Sequence, residues 1–340
     1  MPLFLTFKLF LTNKAFTWQH IVIFNKALLK QKAINQLFKQ IKYQNKRIIM
    51  RRIPESELII NKDGSVFHLH LLPEDIADTV ILVGDQNRVE IIANFFDTVE
   101  LKKQNREFNT CTGIYKGKRI TVTSTGIGTD NIDIVVNEFD ALANIDFKTR
   151  TVKDNLKSLN FIRIGTSGAL QEDIPVDTPV ISETAIGFDG LLNFYANRNK
   201  ISNNEIEKVF KKHMNWNTQL TSPYFVNASP ELLQKIGFDM RKGMTISAPG
   251  FYGPQGRILR LPIQDPDIND KITSFEYNGK KITNYEMECS AIYGLSKLLG
   301  HNAVTVCDII ANRIRKDYSK DYKISMKVLI EKVLDRIASV

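Results

Sequence analysis

Acidic residues are missing from the first 49 positions of this 340-residue chain, and so is glycine; the only proline there is at position 2. The segment carries instead Lys8, Lys14, Lys26, Lys30, Lys32, Lys39, Lys42, Lys46 and Arg47. The formal charge of +9 is confined to it, because removing these nine from the 46 Lys and Arg leaves 37 basic residues against 37 acidic ones. A neutral body excludes the broad basic surface of a nucleic-acid binder, and any cation it uses must act locally. Cysteine is scarce as well. Cys111, Cys289 and Cys307 are odd in number and lack CxxC or Cys/His spacing, which excludes a disulfide framework and a zinc site. They read as buried thiols in a reducing, cytoplasmic compartment. Long hydrophobic runs are absent: the apolar stretches are strand-sized, such as Thr79 to Val83, against about 20 residues for a spanning helix, so no membrane span is expected.

Three readings fit residues 1–49: an acid-free organelle-targeting peptide, a basic amphipathic helix at a membrane surface, or translated sequence upstream of a start at Met50. The third fits best, since the segment has no enrichment in Ser and Arg and no small-residue cleavage site. Residues 50–340 are expected to form one domain. Thr79 to Val83, Arg119 to Ser124, Asn160 to Ile164, Thr178 to Ser182, Met244 to Ser247 and Ala303 to Cys307 read as strands. Asn131 to Ala143 and Met287 to Leu299 place apolar residues at helical spacing. This alternation predicts a mixed, twisted central sheet covered by helices on both faces, a three-layer α/β/α fold with its site at strand ends.

Two strand ends carry anion chemistry. Gly84-Asp85-Gln86-Asn87-Arg88 offers close-approach backbone, exposed N–H groups and a guanidinium. Arg163 stands inside the apolar strand that continues as Ile164-Gly165-Thr166-Ser167-Gly168-Ala169, read as a turn rich in hydroxyls. A guanidinium buried there asks for an anionic partner. Together they read as a phosphate site; the alternatives are a surface Arg at the first and an internal salt bridge at the second. Gly126-Ile127-Gly128 lacks the third Gly and distal acid of a dinucleotide fingerprint, so no cofactor is implied.

The ordered segments GDQNR, REFNT at Arg106 to Thr110, STGIGTDN, RIGTSGAL, FYGPQGR and NYEMECS resemble the nucleoside phosphorylase family that includes uridine phosphorylases, over roughly Val66 to Arg313. The resemblance implies phosphate contacts from the Gly84 backbone, Arg88, Arg163 and Thr166, with Arg106 reaching in from a neighbouring subunit. It implies a ribose site in which Glu288 accepts hydrogen bonds from the 2′- and 3′-hydroxyls, Met287 packs on the sugar, and His68 meets the 5′-hydroxyl across a subunit interface. Phe251 would stack on the base and Gln255 and Arg257 would read the uracil edge, with Ile310 and Ala311 beside it. Counting back from Arg313, Ile310 occupies the place of the acid that purine phosphorylases carry; Asp308, two residues earlier, faces elsewhere.

The implied reaction is phosphorolysis of uridine to uracil and ribose 1-phosphate, with inorganic phosphate as co-substrate and no metal or redox cofactor. A homo-oligomer, dimer or hexamer, with shared active sites is expected, with a monovalent cation at the interface near Glu107. No nucleic-acid or membrane partner is expected. Three rivals stand beside this reading: a purine nucleoside phosphorylase, a nucleosidase that uses water, and an inactive nucleoside-binding protein. The polar stretch from Asn193 to Tyr224 and the Lys-rich tail from Ile314 to Val340 depart from the family pattern.

Overall fold

A computed structural model describes residues 27–36 and 51–339. Of the 1–49 segment only the exposed helical stretch 27–36 is included, so the reading of that segment lies outside the described residues. Strands β1 (Thr79–Val83), β2 (Thr98–Asn105), β3 (Phe108–Tyr115) and β4 (Lys118–Ser124) build one half of the sheet. A separate two-stranded pair, β5 (Ile145–Asp146) and β6 (Thr151–Val152), follows. The second half contains β7 (Asn160–Ala169), β8 (Pro179–Gly187), β9 (Tyr224–Asn227), β10 (Arg241–Ser247), β11 (Glu276–Tyr277), β12 (Lys280–Glu286), β13 (Asn302–Asn312) and β14 (Asp317–Tyr318). The main path runs β11-β12-β10-β8-β13-β7-β1-β4-β3-β2, with β9 on β8 and β14 on β13. The sheet is mixed, as the alternation of elements predicts.

It is also partly closed. The far end of β12 pairs antiparallel with β7, Asn284 opposite Ala169 and Tyr285 opposite Gly168, so β7, β13, β8, β10 and β12 form a ring. This closure corrects the expectation that Gly165 to Gly168 form a turn. The far half of β7 is held in register by Ile309 opposite Ser167 and Ala311 opposite Gly168, which satisfies its backbone groups as strand. One residue, Ile310, is bulged between those pairs, and a bulge re-aims side chains.

Helices α1 (Gln86–Ala93), α2 (Thr129–Asn144), α3 (Arg198–Ile201), α4 (Asn204–Met214), α5 (Pro230–Gly237), α6 (Ile268–Ser274), α7 (Cys289–Leu299) and α8 (Tyr322–Ala338) cover the strands. Their apolar faces share the main core with β1, β7 and β13, for example Val135 and Phe139 of α2, Ile292 and Leu295 of α7, and Ile330 and Val333 of α8. The polar 193–224 stretch folds around α4, which buries Ile206, Phe210 and Met214 at helical spacing against Phe225, Phe275 and Ile246 in a second core. The tail is ordered by the same logic. Met326, Leu329, Ile330, Val333, Leu334 and Ile337 of α8 are buried, so its lysines decorate one face of an amphipathic helix. The three cysteines are buried and unpaired, and among the described residues no helix is long and apolar enough to cross a membrane.

Candidate active site

The ends of β1, β7, β12 and β13 open onto a cavity of about 1100 Å³. Its first end is cationic. After β1, Asp85 caps α1 by accepting the Asn87 N–H at 2.9 Å, and this sets Arg88 on the inward face of the first turn. Arg88 is buried, and the one hydrogen bond of its side chain among the described residues is from Nη1 to the Ile164 carbonyl at 3.2 Å. Burial and the nearby Arg163 push its pKa down. Gly84 lines the same wall with an ordinary backbone conformation, and a Cβ there would meet only the Gly126 carbonyl at 3.5 Å. Thr166 lies half-buried on β7, its hydroxyl without a partner among the described residues.

Arg163 is the hub. Its guanidinium folds over Gly165, where a Cβ would sit 3.0 Å from Arg163 Cζ, so glycine makes room for it. Nε donates to Glu286 Oε2 at 3.1 Å and Nη2 donates to Glu288 Oε2, while Nη1 is buried with no partner. Burial opposes the charge on Arg163, but Glu288 and Glu286 outweigh it and raise its pKa. Burial also raises the Glu288 carboxyl, to about 7, with Arg163 opposing the rise and Glu286 adding to it. The other oxygen of Glu288 accepts the Gly128 N–H at 2.8 Å. That contact gives Gly126-Ile127-Gly128 a role: φ of +71° and +104° at the two glycines turns a backbone N–H onto the carboxylate. Met287 lines the wall between the two glutamates.

At the other end, Phe251, Gln255, Arg257, Ile310 and Ala311 line the cavity together with Tyr285. Gln255 is buried, and its Oε1 accepts from Arg257 Nη1 at 2.5 Å; the same guanidinium donates to the Phe251 carbonyl at 2.6 Å and lies 3.8 Å from the Phe251 ring centroid. One face of Phe251 is therefore covered by Arg257. Burial and the neighbouring Arg313 bring the Arg257 pKa down to about 10. Both Ile310 and Ala311 reach the wall because the bulge breaks the strict alternation of β13. Asp308 faces away as expected, accepting from Ser325 Oγ at 2.6 Å.

His68 and Arg106 lie outside the cavity wall. His68 Nδ1 contacts Glu138 at 2.6 Å, and Arg106, at φ +54° in the β2–β3 turn, places its guanidinium 5.5 Å from the Phe67 ring centroid. The two share one surface patch, joined by Asn105, whose Nδ2 donates to the His68 carbonyl at 2.8 Å. Glu107 lines the cavity and makes no ion pair with Arg106. Among the described residues no group of three or more His, Cys, Asp or Glu could hold a metal ion.

The family model of the phosphorylase superfamily matches residues 78–338. The chain belongs to this superfamily. It is 30% identical to the uridine phosphorylase of Thermococcus kodakarensis over 265 residues, 76% of this chain and 82% of that protein. It is 27% identical to a DeoD-type purine nucleoside phosphorylase of Listeria monocytogenes over 250 residues, covering 71% and 85%. In structure it is similar to a nucleoside phosphorylase of Trypanosoma brucei described as showing uridine phosphorylase activity, with a TM-score of 0.76, 29% identity and coverage of 83% of this chain and all of that one.

The phosphorylase is accordingly a pentosyltransferase, and the cavity is where its charges converge. Among the wall residues that the sequence reading gave no individual role are Tyr285 and Glu286, quoted only within NYEMECS, and Tyr318, Ser319 and Tyr322 of the tail. Glu286 was legible in part, since a second carboxylate two residues before Glu288 and next to a buried Arg is a candidate orienter. Ser319 and Tyr322 lie in a tail whose sequence carries no signal of approach to the strand ends.

Proposed function

We propose that this phosphorylase splits uridine with inorganic phosphate, giving uracil and ribose 1-phosphate. The observation that carries the reading is the pairing of two cavity ends. One end holds two buried guanidiniums, Arg88 and Arg163, the latter with an unpartnered N–H. The other holds a buried carboxamide beside a guanidinium, with aliphatic Ile310 and Ala311 where a purine enzyme would need an acid. A phosphate dianion at the first end, held by the Gly84 backbone, Arg88, Arg163 and Thr166, would stabilise the ribose cation and then capture it at C1′. Glu288 would accept the ribose hydroxyls with Met287 on the sugar face, while Gln255 and Arg257 take up the charge arriving on uracil. Uracil leaves as a stabilised imide anion, so no acid is required.

The subunit is proposed to work in an oligomer, with Arg106 and His68 of one chain completing a neighbour's site, and Glu107 near a monovalent cation at that interface. Residues 50–340 are taken as the functional body and the cytoplasm as its location. Turnover of uridine, deoxyuridine and inosine, each with and without phosphate, tests the reading. Uracil release that needs phosphate and exceeds inosine cleavage supports it. Inosine preferred over uridine moves the assignment to the purine enzymes, and equal turnover without phosphate makes it a nucleosidase.

A further inference from the structure

We propose that Tyr322 binds the phosphate co-substrate through its phenolic hydroxyl, so that the C-terminal helix completes the phosphate end of the cavity from within the same chain. The inference rests on the phosphorylase reading above. Tyr322 is the first residue of α8, and it lines the cavity with Arg88, Thr166 and Ser319. Its ring packs against the main core, and its hydroxyl has no hydrogen-bond partner among the described residues. The phenol lies close enough to bear on the charge of Arg88.

The segment that presents this residue is fastened at several points. Ser319 N–H donates to the Ile310 carbonyl at 2.8 Å and its Oγ to Asp177 Oδ1 at 2.5 Å. Ser325 Oγ lies 2.6 Å from Asp308 Oδ2, 3.1 Å from Asp177 Oδ1 and 3.0 Å from the Tyr322 carbonyl. Asp321 caps the helix by accepting the Lys323 N–H at 3.2 Å. These contacts fix the Tyr322 backbone while its hydroxyl stays uncommitted, which is the arrangement a ligand donor needs. Arg163 has Nε and Nη2 committed to the two glutamates, and Arg88 shares Nη1 with the Ile164 carbonyl. Beside the Gly84 backbone, Thr166 and the Arg106 proposed from a neighbour, a phosphate dianion therefore has acceptor capacity for which a phenol O–H is a suited donor.

Tyr322→Phe keeps the ring and removes only the donor, and because that hydroxyl has no internal partner the fold should be indifferent. With the full chain, inorganic phosphate binding to the free enzyme and separate KM values for phosphate and uridine are measured. The expected result is a rise of about tenfold in phosphate Kd and KM, the effect of losing one hydrogen bond to a charged group. The uridine KM should stay within about twofold by the same reasoning, since no uridine contact is touched. Unchanged phosphate values, or an equal rise in both KM values, overturn the proposal. Tyr322→Ala separates the remaining case: weakened phosphate binding in Ala but not in Phe assigns the ring to packing alone and also overturns it. If the unsubstituted enzyme turns over uridine without phosphate, the phosphorylase reading fails first; phosphate dependence with Tyr322→Phe unaffected sinks the Tyr322 assignment alone.

Discussion

Glu286→Gln should be the most informative single substitution, because Glu286 touches every part of the charged hub while remaining closed to solvent. Oε2 accepts Arg163 Nε at 3.1 Å and the N–H groups of Glu288 and Cys289 at 2.9 Å; Oε1 accepts Ser247 Oγ at 2.5 Å and Cys289 N–H at 3.0 Å. Glutamine keeps the shape but replaces one acceptor with an NH₂ that must face a donor. Two unit charges at this separation attract by about 5 kcal/mol at an effective dielectric of about 20. Glu288 still holds Arg163 at Nη2, so the net loss should fall at the lower end of the range for breaking a buried pair, about 3 kcal/mol. In calorimetry at pH 7.5 the unfolding midpoint should drop by roughly 4 to 5 °C. Glu288, freed from a like charge, should then ionise at lower pH. A loss below about 1 kcal/mol together with an unmoved Glu288 titration would refute the reasoning, since it would mean that Glu286 carries no charge in the native state.

Arg257→Ala should lower kcat/KM for uridine by about 10² or more by removing a donor where charge grows on the base, with phosphate affinity nearly unchanged; equal damage to uridine and inosine turnover would dismiss the pyrimidine assignment. For Glu288 the folded pKa, about 7, lies above the ordinary 4.5, so the folded state holds the proton longer and free-enzyme stability should fall as pH rises through that window. Nucleoside affinity measured without phosphate should rise over the same window, because the carboxylate is the better acceptor for two hydroxyls, and Glu288→Gln should flatten both slopes; slopes that persist in that variant would place the titration on another group.

The strands and the cationic strand ends were legible because their signals are local. A β-branched run ending in Gly-Asp, and an Arg inside an apolar strand, each state a burial problem that one sequence can pose by itself. Long-range pairing is not posed that way. Nothing in Gly165 to Gly168 announces that β12 will return to hydrogen-bond it, so a Gly-Thr-Ser-Gly stretch reads as a turn and proves to be strand. The tail misleads for a related reason: its lysines dominate the composition, whereas the buried residues that dock α8 are spaced at helical intervals and carry Tyr322 to the cavity. Phe251 reads as a free stacking surface in sequence, and only the fold shows Arg257 lying over one of its faces.

The hub also makes the two substrate ends interdependent. On the proposed assignment, Arg163 offers Nη1 to phosphate while Nη2 holds the Glu288 oxygen that ribose hydroxyls approach. Phosphate at Nη1 would draw positive charge away from Glu288, and ribose hydroxyls at Glu288 would leave Arg163 less neutralised for phosphate. These are one coupling seen from its two ends, carried by one guanidinium, so phosphate and nucleoside must alter each other's affinity by the same factor. Arg163→Ala therefore differs in kind from Arg257→Ala. It removes a phosphate ligand and at the same time leaves two buried carboxylates, Glu286 and Glu288, without their shared cation, which drives at least one of them to hold a proton. Loss at Arg163 should appear in both substrate affinities, while loss at Arg257 should stay at the base end. The separation of the two phenotypes follows from the geometry of one arginine serving two glutamates.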